Sequence, residues 1–375
     1  MGTECLVMAK PAGPRCNLRC GYCYYLKKES LFPAGPLRMG ESLLERFIAE
    51  RLSVSPGPVT HFEWHGGEPT LLGLGYFRSI VLLQRRHRPP GRKITNGLQT
   101  NGTLLDGAWA EFLAREGFSV GLSLDGPAEF HDAYRRTADG GPTHGRVMDA
   151  FRLLRKAGVP CNVLCVLHAG NAAQPDRVYD FFRSLGVGYL QFLPLVVRPT
   201  DPGGGAMARP EVIGEFLCRL FDLWIREDVG RIVIQAFDEA LRPLYGAPHA
   251  LCVHRETCGE AAVLEHDGGF YACDHFVDPQ HRIGSLAERG LAGLTADPDL
   301  LRFGSAKRDT LPQACRGCDV LSFCNGGCPK DRLSGVNVLC PAYKRFFRHA
   351  KPELARLSDH MKAGRALRSF RAARA

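Results

Sequence analysis

Cys16-Asn17-Leu18-Arg19-Cys20-Gly21-Tyr22-Cys23 follows the first strand-like run of the chain and sets three thiols at C-x3-C-x2-C spacing. A structural zinc or an ordinary cubane cluster takes four protein ligands. Three thiolates on a four-iron cluster leave one iron open to a small molecule. A zinc loop remains the alternative, and the triplet alone does not choose between them.

Outward from the triplet, the chain of 375 residues suits a barrel of about 200–250 residues plus a second module. Hydrophobic content of 45% and charged content of 23% are ordinary for a soluble protein. No apolar run approaches the ~18–20 residues of a membrane span, and residues 1–10 lack a secretory signal pattern. Fifteen cysteines in a chain this large and this rich in periodic segments argue for metal clusters in a reducing cytoplasm, against a small secreted disulfide scaffold. The net charge of +9 includes Lys362, Arg365, Arg368, Arg371 and Arg374 in an acid-free tail, leaving +4 for the rest. A solvated helical end accounts for that tail, so no nucleic-acid partner is expected.

Apolar, β-branched runs at 6–9, 60–64, 97–100, 119–124, 161–167 and 189–193 alternate with stretches such as 43–52, 76–86, 108–116, 147–157 and 175–185, which carry helical periodicity. Six such units predict an α/β fold, an open partial (β/α)6 barrel related to the TIM barrel. Chemistry in such folds sits where strands end. Here the first strand runs into the triplet, the second ends in Gly66-Gly67-Glu68-Pro69, and the third in Thr100-Asn101-Gly102. The fourth carries Ser123 and Asp125-Gly126-Pro127, with His131 and Arg135 beyond. Paired glycines let a backbone approach a ligand closely, while a hydroxyl and a guanidinium suit a carboxylate. Cys5, Cys161, Cys165 and Cys218 read as passive, packed thiols. The Gly-rich stretch between Arg198 and Pro210 reads as a loop, either lid or linker.

A second cysteine field begins at Cys252. Its spacing is Cys252-x5-Cys258-x14-Cys273, then Cys315-x2-Cys318-x5-Cys324-x3-Cys328-x11-Cys340. Eight thiols suffice for two four-iron clusters, and Gly268, Gly269, Gly326 and Gly327 permit tight turns around them. Zinc ribbons are the alternative, since C-x2-C pairs also suit zinc.

Taken together, the triplet and the strand-end motifs resemble the radical S-adenosylmethionine (SAM) superfamily, in which SAM chelates the open iron. The second field resembles the SPASM module of its peptide-modifying members. Lys10-Pro11-Ala12 before the triplet, Gly66-Gly67-Glu68-Pro69-Thr70-Leu71 and Leu98-Gln99-Thr100-Asn101-Gly102-Thr103-Leu104 extend the likeness. So do Gly121-Leu122-Ser123-Leu124-Asp125-Gly126-Pro127, Leu190-Gln191-Phe192 and Tyr271-Ala272-Cys273-Asp274. Over residues 8–348 the chain is similar to the anaerobic sulfatase-maturating enzymes. One departure is His65, where that family often has glutamine.

The resemblance implies a radical SAM partial barrel over 1–240, a SPASM domain over 241–350 and a basic helix or tail over 351–375. It implies three [4Fe-4S] clusters: one on Cys16, Cys20 and Cys23, one on Cys252, Cys258, Cys273 and Cys328, and one on Cys315, Cys318, Cys324 and Cys340. Tyr22, Gly67, Ser123, Arg135 and the backbone near Val196 would hold SAM, whose 5′-deoxyadenosyl radical takes hydrogen from a substrate Cβ. Asp274 would act as the base, and an auxiliary cluster would carry off the surplus electron. The implied reaction converts cysteine or serine in an unfolded or nascent sulfatase to Cα-formylglycine. It needs a donor such as flavodoxin or ferredoxin, and neither a membrane nor an oligomer. Thioether or carbon–carbon crosslinking of a ribosomal peptide is the alternative enzyme, and a non-enzymatic zinc or iron–sulfur protein the alternative class. Crosslinking enzymes often carry a precursor-binding domain before the triplet, and only fifteen residues precede Cys16.

Overall fold

The computed structural model describes residues 6–32, 37–197, 204–333 and 335–372, so Cys5 and part of the 198–210 loop lie outside the described residues. Among the described residues ten strands are present: β1 (Leu6–Lys10), β2 (Val59–Trp64), β3 (Lys93–Thr100), β4 (Phe118–Ser123), β5 (Cys161–Leu167), β6 (Tyr189–Pro194), β7 (Val233–Ile234), β8 (Ala261–Glu265), β9 (Gly269–Tyr271) and β10 (Arg282–Ser285). The six strands expected from the sequence are β1–β6, within a few residues at each end. The chain forms two compact units, each drawn from several segments.

The first unit takes the chain through Ser123, then Arg135–Cys161 and Gly259–Gly304. Here β1 pairs in parallel with β2 on one side and β8 on the other, and β2–β3 and β3–β4 continue the parallel run. Antiparallel pairing of β8 with β9 and of β9 with β10 closes the other edge. Alternation sets the faces: Thr60, Phe62 and Trp64 of β2 and Phe118, Val120 and Leu122 of β4 are buried. The helices Glu41–Val54, Gly73–His87 and Gly107–Arg115 cover them with Phe47, Phe77, Trp109 and Phe112. The indole of Trp64, fully buried, donates to Asn96 at 2.8 Å, so its N–H is not left unpaired. Sequence periodicity did not yield the β8–β9 hairpin, although Asp267-Gly268 between apolar runs is a hairpin signal. Gly268 takes φ of 86°, which a side chain would resist.

The second unit comprises Leu124–Tyr134, Asn162–Cys258 and the chain from Ser305 onward. In it β5, β6 and β7 pair in parallel. The helices Pro210–Glu227, Gln235–Tyr245 and Cys340–Lys362 pack through Phe221, Trp224, Phe237 and Phe346, with ring centroids 5.3–6.2 Å apart. Cys165 and Cys218 are buried as expected, and Cys161 is half-buried. The basic tail forms a further helix, Leu367–Ala372, anchored by buried Phe370. Among the described residues no helix is long and apolar enough to cross a membrane.

Candidate functional site

In the first unit, β1 delivers the chain into the triplet loop, and the end of β2 is zipped onto that loop by backbone bonds. His65 N–H donates to Ala9, Gly67 to Gly13 and Glu68 to Arg15, each at 2.8 Å. Gly67 has no room for a side chain: a Cβ there would stand 2.1 Å from the Arg15 carbonyl oxygen. Gly66 supplies the positive φ, at 144°.

Glu68 organises what surrounds the triplet. Its fully buried carboxylate accepts from the Thr70 amide (3.0 Å) and hydroxyl (2.6 Å), the Thr100 hydroxyl (2.7 Å) and the Asn101 amide (2.7 Å). Burial raises its pKa, and those four bonds oppose the shift. Asn101 then donates to Asn17 at 3.0 Å and to the Cys16 sulfur at 3.8 Å, which also accepts from the Leu18 amide at 3.4 Å. Cys16, Cys20 and Cys23 are all half-buried, and burial pushes the Cys16 thiol up to about 11.

Ser123 ends β4, and its hydroxyl accepts from Gln99 at 3.2 Å. The Arg135 guanidinium lies 5.6 Å from the ring centre of Tyr22, with Arg135 largely buried. Tyr22, Gly67, Ser123 and Arg135 belong to the first unit, and Val196, half-buried after β6, to the second. Asp125 and His131 serve the fold in the second unit. Asp125 N–H donates to the His131 ring at 3.3 Å, and its carboxylate accepts from the Val166 amide at 2.9 Å.

Asp274 opens the short turn Asp274–Phe276 directly after Cys273. Its carboxylate pairs with the ammonium of Lys10, the last residue of β1, and accepts from the Tyr24 hydroxyl. Burial alone would raise its pKa, but Lys10, His65 and His275 outweigh that and hold it well below the usual carboxylate range. Lys10 is fully buried, and its ammonium stands 3.3 Å over the Tyr25 ring. Tyr25 in turn donates to Glu265. Lys28 fixes the turn from outside, donating to the carbonyls of His275 (3.3 Å) and Val277 (3.0 Å). Sequence reasoning named Asp274 by resemblance and held Lys10 only as part of the Lys10-Pro11-Ala12 motif; its pairing with Asp274 and the places of Tyr24 and Tyr25 were missed. A lysine closing a strand that feeds a cysteine loop was the available signal.

In the second unit, Cys315, Cys318, Cys324 and Cys340 line one cavity of about 140 Å³. Asn325, Gly326 and Gly327 take φ of 46°, 76° and 63°, turning the chain sharply after Cys324. Cys252, Cys258 and Cys328 form a second group whose charges act on one another and on Lys307. Burial pushes the Cys324 thiol up to about 11 and that of Cys328 up to about 12. Among the described residues no three His, Cys, Asp or Glu side chains close on a single ion. Donor chemistry therefore bears the fit: the three groups present only thiols, soft ligands that suit iron–sulfur clusters.

The profile of the Radical SAM superfamily matches residues 11–182, and that of the SPASM iron-sulfur cluster-binding domain matches residues 252–319. A serine-type anaerobic sulfatase-maturating enzyme of Bacteroides thetaiotaomicron is 40% identical over 92% of this chain and 89% of its own. A cysteine-type counterpart from Clostridium perfringens is 32% identical over 95% and 99%. A solved structure described as native anSMEcpe with bound AdoMet and Kp18Cys peptide superposes with a TM-score of 0.87 at 32% identity, covering 96% of this chain and all of that one.

Proposed function

The chain belongs to the anaerobic sulfatase-maturating enzymes of the radical SAM superfamily, and we propose from this premise that it oxidises a cysteine or serine side chain of a sulfatase to Cα-formylglycine without oxygen. The observation that carries the reading is Asp274, set next to Cys273 and ion-paired with the lysine that ends the strand leading into the Cys16 triplet. Peptide crosslinking is not favoured, since relatives covering nine-tenths of the chain are sulfatase-maturating enzymes.

Cys16, Cys20 and Cys23 would hold the SAM-binding [4Fe-4S] cluster. Cys315, Cys318, Cys324 and Cys340 would hold one auxiliary cluster, and Cys252, Cys258, Cys273 and Cys328 the other. Gly67, having no side chain, lets the turn after β2 pack directly on the backbone of the triplet loop, and the donor sets are all thiol. When bound, the reduced cluster and SAM supply a carbon radical able to take hydrogen from an unactivated Cβ. This chain's residues supply the rest. Ser123 and Arg135 would orient the SAM carboxylate, while Tyr22 and the backbone at Gly67 and Val196 would complete its seat.

Asp274 would receive the proton of the substrate thiol or hydroxyl; a serine then gives the aldehyde directly, whereas a cysteine gives a thioaldehyde that water hydrolyses with release of sulfide. Its ion pair with Lys10 makes it a weak base, so proton transfer requires a substrate group acidified by loss of the neighbouring hydrogen. Tyr24 and Lys10 hold the carboxylate in place for that step. The reading includes a monomeric enzyme in the reducing cytoplasm, supplied with electrons by a flavodoxin- or ferredoxin-type donor.

The test is anaerobic incubation with SAM, dithionite and a sulfatase peptide carrying the target cysteine or serine. An aldehyde, seen by mass and by hydrazine trapping, is expected. A crosslinked peptide or an unaltered one overturns the reading.

A further inference from the structure

Lys307 stands near the end of the helix Pro298–Asp309 and is 1% exposed. Its ammonium donates to the carbonyls of Cys252 at 2.7 Å and Val253 at 3.0 Å, and also to that of Arg255. Three carbonyl acceptors need three N–H donors, which a lysine offers only when protonated. Among the described residues this ammonium has no carboxylate partner. A buried cation without a counter-charge is costly, so the surroundings must supply the negative charge. Burial pulls its pKa down, the ionised forms of Cys258, Cys252 and Cys328 oppose that, and the Arg332 guanidinium adds to it. Arg332 also donates to the Lys307 carbonyl at 2.9 Å, tying the end of that helix to the segment after Cys328.

We propose that Lys307 is the positioning residue of the auxiliary cluster held by Cys252, Cys258 and Cys328: it staples the Cys252–Arg255 turn and sets a fixed positive charge beside the cluster that favours its reduced form. The cluster assignment rests on the function proposed above, and the role of Lys307 goes beyond it. A thiolate-ligated four-iron cluster is anionic and gains one further negative charge on reduction. An adjacent ammonium therefore stabilises the reduced state more than the oxidised one. An electron leaving the substrate meets a better acceptor where that charge is present.

Full-length chains with Cys16, Cys20 and Cys23 replaced by alanine isolate the auxiliary clusters. In that background, the chain with native Lys307, Lys307→Met and Lys307→Arg are reconstituted anaerobically. Their iron and sulfide are counted, and each is titrated with dithionite under electron paramagnetic resonance. Lys307→Met is expected to shift one of the two auxiliary clusters to lower potential, while Lys307→Arg stays near the native position. An unshifted Lys307→Met, or an Arg variant shifted as far as the Met variant, overturns the proposal. Should Lys307→Met fail to hold that cluster, its retention in Lys307→Arg supports the charged staple, and loss in both overturns it. A native enzyme that makes no formylglycine overturns the functional reading and leaves these titrations unaffected.

Discussion

Lys10 and Asp274 bring opposite charges together where water scarcely reaches, with the lysine fully buried and the carboxylate 13% exposed. Removing one partner from such a pair costs more than the pair contributes, because the other charge stays desolvated. Lys10→Met is therefore expected to destabilise the fold by about 3 kcal/mol, the Tyr24 hydroxyl still supporting Asp274. Lys10→Met combined with Asp274→Asn leaves no orphaned charge. Its melting temperature should lie above the value obtained by adding the two single losses. Asp274→Asn keeps the shape and the Tyr24 contact but loses the base. Formylglycine formation should fall by ~10²-fold or more while SAM cleavage continues; an unchanged formylglycine yield would remove Asp274 from the role. Asp274 entered the sequence reading through family resemblance, but a pairing 264 residues apart with Lys10 arises only when β1 and β8 align.

Among the elements, two short segments control how cysteines are presented. The Gly66-Gly67-Glu68 turn is one, and Gly67→Ala would drive a methyl group into rigid backbone at 2.1 Å from Arg15 O and 2.5 Å from Pro14 O. A loss of about 3 kcal/mol and weakened SAM binding are expected, both readable by equilibrium dialysis and thermal melting. The other is the approach to Cys252, where Glu239 accepts from the Ala250 amide at 3.1 Å and pairs with His249 at 3.2 Å. Burial raises the pKa of Glu239, but His249 and nearby amides outweigh that and leave it lowered. A lowered folded pKa means the stabilisation is present above the ordinary glutamate value and is lost as pH falls through the folded one. Glu239→Gln should cost about 1–3 kcal/mol at neutral pH and flatten the acid limb of a melting-temperature profile. Strands β1–β6 were legible because alternating apolar runs were bounded by turn residues. β7 was not, being only two residues long, Val233–Ile234, a length below any periodic signal. The β8–β10 meander was hidden because its strands are only five, three and four residues long and the first two are buried almost throughout, which leaves no alternation to read.

For the whole molecule, cysteine spacing made the donor count legible but not the grouping. Cys328 lies between Cys324 and Cys340 in sequence, yet those two line a cavity with Cys315 and Cys318, while Cys328 acts on Cys252 and shares Lys307 with Cys252 and Cys258. Folding separates them because Gly326 and Gly327 reverse the chain between Cys324 and Cys328, and a Cβ on Gly327 would meet Asn337 at 2.3 Å. That separation allows the cofactors to be removed one at a time. The reconstituted chain should hold ~12 Fe and no zinc, from three four-iron clusters. Replacing Cys16, Cys20 and Cys23 by alanine should leave ~8 Fe and abolish SAM cleavage. Replacing Cys315 and Cys318 should also leave ~8 Fe, but with SAM cleavage retained. The contrast between the two variants is decisive: equal iron with opposite SAM chemistry requires separate clusters with separate tasks. A single substituted group that emptied all the iron would instead tie the cysteine fields into one interdependent metal core.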